Sequence, residues 1–134
     1  MNRLFADTFF FFAFLNADDS AHREASTFYD AFDGQLLTTE WILTELADGL
    51  SGLSGRQAFV DFHRALRNDP TVKIIPSSNE LFAAGVKLYA TRPDKEWSLT
   101  DCISFVVMER EGLTDALTGD RHFEQAGFKV LLSN

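Results

Sequence analysis

Apolar residues fall along this chain in short blocks separated by longer mixed stretches, and the two kinds of stretch predict different elements. Five blocks read as strands: Leu4-Phe5-Ala6, Leu36-Leu37-Thr38, Val72-Lys73-Ile74-Ile75, Leu113 to Thr118, and Phe128-Lys129-Val130-Leu131-Leu132. None alternates cleanly between apolar and polar residues, and the first and last are mostly apolar. That is the pattern of strands covered on both faces. The spacing between them predicts helices. Ala21 to Phe32 follows Asp18, Asp19 and Ser20, any of which can cap it, and Thr39 opens Glu40 to Leu50, which Gly49 and Gly52 help to end. Ser54 is placed to cap Gly55 to Arg67, which stops before Asn68-Asp69-Pro70. Ser78 opens Asn79 to Tyr89, and Ser98 opens Leu99 to Glu111, with Gly112 at its stop. A short helix is expected over Arg121 to Ala126, and another directly after the first strand. Strands alternating with helices predict a parallel sheet with helices on both faces. Such sheets place their sites beyond the carboxyl ends of strands, where the strand order reverses.

At 134 residues the chain is near the commonest domain size, so one domain over 1–134 is expected. Its aromatic content is dominated by 14 Phe against 2 Tyr and 2 Trp. Phe has no polar group to satisfy, so most of these should lie in the core. The single cysteine, Cys102, excludes an internal disulfide and cannot build a thiolate zinc site alone. It sits in an apolar stretch and reads as a buried small residue in a cytoplasmic protein. Arg3 followed by Leu4 to Ala17 has a superficial likeness to a signal peptide. Asp7 interrupts that run, no small-x-small site follows it, and its charge-free part is too short to span a bilayer.

The carboxylates carry the candidate chemistry. Asp7 directly follows the first strand and Asp120 the fourth; Asp101 lies in the first turn of a helix and Glu45 inside another. Structural roles exist for each. Asp7 and Asp120 can cap the helices that follow them, Ser98-x-x-Asp101 has the spacing of a capping box, and Glu45 can be a solvated helical residue. Their surroundings favour more. Asp7 stands in the most apolar part of the chain, Asp101 shares a helical face with Phe105 and Met108, and Glu45 borders the face of Ile42, Leu43, Leu46, Ala47 and Leu50. A buried carboxylate needs a cation, strong donors or a proton, and no Lys or Arg is spaced to pair locally with Asp7 or Asp101. Mg2+ or Mn2+, both bound through oxygen, suits that role and can promote phosphodiester attack. The three histidines are scattered and form no H-x-x-x-H pair.

The segments Phe5-Ala6-Asp7-Thr8, Thr44-Glu45-Leu46, Ser98 to Ser104 and Leu117 to Phe123 resemble the four signatures of PIN domains, in the family's order. They are most similar to VapC-like toxins of bacterial toxin–antitoxin systems. The resemblance implies a three-layer α/β/α sandwich around a five-stranded parallel sheet, with Mg2+- or Mn2+-dependent endoribonuclease activity. It makes Asp7, Glu45, Asp101 and Asp120 the catalytic acids, of which Asp7, Asp101 and Asp120 hold metal, with the Thr8 hydroxyl beside them toward substrate. It also implies an RNA substrate, a cognate antitoxin and a homodimer. Phe9 departs from the family pattern, where a small or hydroxylated residue is common, and narrows the expected cleft. Asp115 is an extra acid that reads as a strand-edge or surface charge.

A formal charge of −8 does not favour a nucleic-acid binder, since phosphate contacts supply most non-specific affinity. Local basic groups can offset it. Arg56, His63 and Arg67, with Arg64 alongside, share one face of the third long helix and form either a phosphate rail or a solvated surface. Arg121 is a second candidate, beside Asp120. Two rival readings are a receiver-like or phosphatase-like domain, which lacks its paired acids here, and a PIN-fold module that only binds protein. The second would be marked by loss of one or more of the four acids, and all four are present.

Overall fold

The computed structural model describes residues 2–133. The order of elements is β1 (Arg3–Ala6), α1 (Thr8–Leu15), α2 (His22–Ala31), β2 (Gln35–Thr39), α3 (Glu40–Gly49), α4 (Leu53–Asn68), β3 (Val72–Ile75), α5 (Asn79–Thr91), α6 (Leu99–Arg110), β4 (Asp115–Leu117), α7 (Arg121–Gln125) and β5 (Lys129–Val130). The five strands pair in parallel in the order β3-β2-β1-β4-β5. The chain thus builds outward from β1 to β3, then returns to the other side of β1 with β4. Strand order reverses between β1 and β4, so a crevice is expected beyond their carboxyl ends.

Helices cover the sheet as the apolar strands demand. Leu4, Phe5 and Ala6 of β1 and Ala116 and Leu117 of β4 are fully buried. One helix group packs α1 on α2 and α3, and α3 on α4; the other packs α5 on α6 and α6 on α7. The phenylalanines divide accordingly. Phe10, Phe11 and Phe14 meet Tyr29 and Phe62 on one side. On the other, Phe105 packs edge-on against Phe123 at 4.9 Å and Trp97 at 5.0 Å, and Phe123 reaches Phe5 of β1 at 6.2 Å. This second cluster ties α6 and α7 to the central strand, and so fixes the groups at their first turns. Cys102 is buried as expected, and burial pushes its thiol up. No helix of the described residues is long and apolar enough to cross a membrane.

Several boundaries differ from the sequence expectation. Ser54 does not cap α4: the helix starts at Leu53 behind Gly52, with no side-chain cap bond. Neither Asp18, Asp19 nor Ser20 is the cap residue of α2, which starts behind Ala21, although the Asp19 carboxylate accepts from the Ala21 N–H at 2.8 Å. The last two strands are shorter than their apolar runs. Beyond β5 the chain still follows β4, with the Leu131 N–H donating to the Ala116 carbonyl and the Leu132 N–H to the Thr118 carbonyl, each at 3.1 Å.

Candidate active site

Asp7 leaves β1 as the residue before α1, yet its side chain makes no cap bond to that helix. The Thr118 hydroxyl donates to its Oδ2 at 2.8 Å instead, across from the end of β4. Asp7 is 5% exposed. Burial pushes its carboxyl up to about 7, the charges of Asp101 and Asp120 push the same way, and the Thr118 hydrogen bond opposes them. The simple capping role therefore fails for Asp7.

The other two aspartates do cap helices while facing the same space. Asp101 completes the capping box of α6: its Oδ2 accepts from the Ser98 N–H at 3.1 Å, and its own N–H donates to the Ser98 hydroxyl at 2.9 Å. The same Oδ2 lies 3.0 Å from His122 Nδ1. Burial raises the Asp101 carboxyl too, against the hydrogen bonds from Ser98 and His122. Asp120 opens α7 with its Oδ1 accepting from the His122 N–H at 2.9 Å, and its N–H donates to the Thr118 hydroxyl at 3.1 Å. Thr118 thus joins Asp7 to Asp120. Glu45 is exposed on α3 and accepts the hydroxyl of Thr8.

Asp7, Thr8, Glu45, Asp101 and Asp120 line one cavity of about 370 Å³, together with Phe9, Glu96, Ser98 and His122. No Lys or Arg is among these lining residues, so the only basic side chain facing the carboxylates in this cavity is His122. One donor atom each from Asp101, Asp120 and His122 lie within 4.8 Å of one another, as ligands of a single ion do. Asp7 shares the cavity but lies outside that tight group. The Phe9 ring lies against Gly119, where an added Cβ would come within 2.5 Å of it. The aromatic ring thus occupies the space a side chain at 119 would need. Asp115 lies outside the cavity and accepts from the Thr114 hydroxyl.

The basic candidates separate. Arg121 lines a neighbouring cavity of about 490 Å³ that shares Glu96, Asp120 and His122 with the first and adds Lys95. Arg56 and Arg67 are exposed on α4 and line neither cavity. In the same stripe Arg64 reaches Asp61 at 3.6 Å, and the His63 ring stacks on Phe59. Sequence reasoning missed Thr118, His122 and Glu96. Both Thr118 and His122 stand two residues from Asp120, the only local signal either one carries.

The model of the PIN domain matches residues 4–129 of this chain. The chain belongs to the PIN-domain family. It is 28% identical over 125 residues to the 23S rRNA-specific endonuclease VapC20 of Mycobacterium tuberculosis, covering 93% of this chain and 95% of that protein. The crystal structure of VapC20, described as a Sarcin-Ricin loop cleaving toxin, superposes with a TM-score of 0.87 at 26% identity, covering 96% of this chain and 98% of that one. FitAcB from Neisseria gonorrhoeae shares the fold with a TM-score of 0.69 at 18% identity, over 96% of both chains. So does VapBC2 from Rickettsia felis, solved on a DNA fragment from its promoter, at 0.67 and 11%, over 96% of this chain and 97% of that one.

Proposed function

We propose that this PIN-domain protein is a Mg2+- or Mn2+-dependent endoribonuclease, the toxin of a toxin–antitoxin pair, acting in the cytoplasm. The observation that carries the reading is the convergence of Asp7, Glu45, Asp101 and Asp120 on one cavity with no lysine or arginine lining it. A carboxylate as deeply buried as Asp7 needs a proton or a cation, and an all-oxygen acid set suits a hard divalent ion. The likeness to VapC20 over nearly the whole chain supports RNA as the substrate.

Asp7, Asp101 and Asp120 are the residues to hold the ion. When bound, it supplies charge stabilisation at the phosphate and lowers the pKa of water at the site. Glu45, exposed and held by the Thr8 hydroxyl, is the carboxylate best able to accept a proton from attacking water. Thr8, whose hydroxyl donates to Glu45 in the cavity wall, is placed beside the substrate. Arg121 binds a flanking phosphate in the adjoining cavity, and Arg56 and Arg67 on α4, which line neither cavity, are a second candidate rail.

The likeness to VapC20, described as a toxin, supports an antitoxin partner, and a homodimer is proposed beside it. For the homodimer, Phe82, Val86 and Tyr89 recur along one side of α5 with 48%, 40% and 54% exposure, an apolar face open to a second copy. The rival reading as a protein-binding module loses ground because all four acids are present and share one cavity. Incubating the purified protein with RNA, with and without chelator, and mapping fragment ends tests the activity. Internal cuts that need a divalent ion are expected; intact RNA in every metal would leave only the binding module.

A further inference from the structure

We propose that His122 is itself a ligand of the divalent ion, and that its nitrogen tilts the site toward Mn2+ over Mg2+. This rests on the metal-dependent reading above and names a ligand and an ion preference beyond it. The backbone of His122 is fixed by the Asp120 cap bond to its N–H, and by its buried neighbour Phe123. Its ring is thereby turned into the cavity, with Nδ1 3.0 Å from Asp101 Oδ2 and 3.6 Å from Asp120 Oδ1. In an octahedral shell with bonds of about 2.1 Å, neighbouring ligand atoms stand about 3.0 Å apart and opposite ones about 4.2 Å. The three donors therefore already have ligand spacing, and all fall within 4.8 Å of one another. Without an ion, Nδ1 holds the proton it shares with Asp101; to ligate a cation that proton moves to Nε2 or to solvent, which frees the Nδ1 lone pair.

The other two histidines are engaged elsewhere. His22 Nδ1 lies 2.7 Å from the Ala13 carbonyl, and His63 stacks on Phe59. Nitrogen ligation at this site is thus attributable to one residue. Mg2+ holds to oxygen and keeps its waters, whereas Mn2+, also well served by oxygen and the weakest binder of its row, accepts an imidazole more readily than Mg2+ does. A site of two or three carboxylates plus one imidazole consequently favours Mn2+ relative to an all-oxygen site.

Mn2+ added to the metal-free protein and examined by electron spin-echo spectroscopy reads the ligand directly. The wild-type protein should show nitrogen coupling to Mn2+, and His122→Asn should lose it. Calorimetric titration should show Mn2+ affinity falling by about tenfold or more in His122→Asn, while Mg2+ affinity changes by less than about threefold. Bound Mn2+ without nitrogen coupling, coupling that persists in His122→Asn, or equal weakening of both ions overturns the proposal and leaves the nuclease reading standing. Failure of both ions to bind the wild-type protein overturns both readings.

Discussion

At the scale of the residue, Asp7 shows the tension most clearly. Its carboxyl is raised from 3.8 to about 7 in the folded protein, so folding favours its protonated form. The stability this contributes is fully present below the unfolded value and is lost as pH rises through about 7. Asp7→Asn keeps an oxygen for the Thr118 hydroxyl and removes that loss. In chelator, the variant should melt with the wild type near pH 4 and above it at pH 8, by roughly 4 kcal/mol. Equal melting at pH 8 would show that Asp7 is not strained by burial. Divalent ion should narrow the gap, since it binds the folded wild type and stabilises it. The acids were legible in the sequence because position after a strand and local apolarity are local properties. Thr118 and His122 were not. Their roles arise only when the end of β4 and the first turn of α7 meet Asp7 and Asp101, which are distant in the chain.

At the scale of the element, α6 carries both structure and site. The Ser98-x-x-Asp101 spacing predicted a capping box, and the box is formed. Its consequence is that one carboxylate serves the helix end and the cavity together. Ser98→Ala should cost about 1 kcal/mol of stability, measured by denaturant melting, and should loosen Asp101 so that metal affinity also falls. A variant that is less stable yet binds metal unchanged would separate the two roles. Helices opened by Thr39 and Ser78 were equally readable, because each hydroxyl does accept from the third residue of its helix. Ser54 was misleading: Gly52 already gives the chain its extended turn, and the helix begins before the serine. The last apolar run continues past β5 because Leu131 and Leu132 still bond to β4, and the second of these bonds holds the carbonyl of Thr118.

At the scale of the whole molecule, the sheet order places the acids and the surface charge limits how RNA can approach. Alternating strands and helices made a parallel sheet legible; the crossing that puts β4 beside β1 was not, because strand order is set by contacts between segments distant in the chain. With a net charge of −8, RNA binding must depend on the few cations near the cavity. Arg121 adjoins the acids and α4 does not. Arg121→Gln should therefore lower the slope of log K against log[salt] by roughly 0.7 for a single-stranded RNA. The pair Arg56→Gln and Arg67→Gln should lower it further only if α4 forms a second rail. An unchanged slope in Arg121→Gln with a reduced one in the α4 pair would move the RNA to that face.

On the proposed function, these carboxylates cut RNA through a divalent ion. The most direct test is single-turnover RNA cleavage at saturating Mn2+ by the wild type and by Asp7→Asn. Loss of the ion's several kcal/mol of charge stabilisation predicts a rate about a hundredfold lower or more in the variant, and none detectable for either protein in chelator. Cleavage at the wild-type rate by Asp7→Asn, or by the wild type in chelator, would contradict the account.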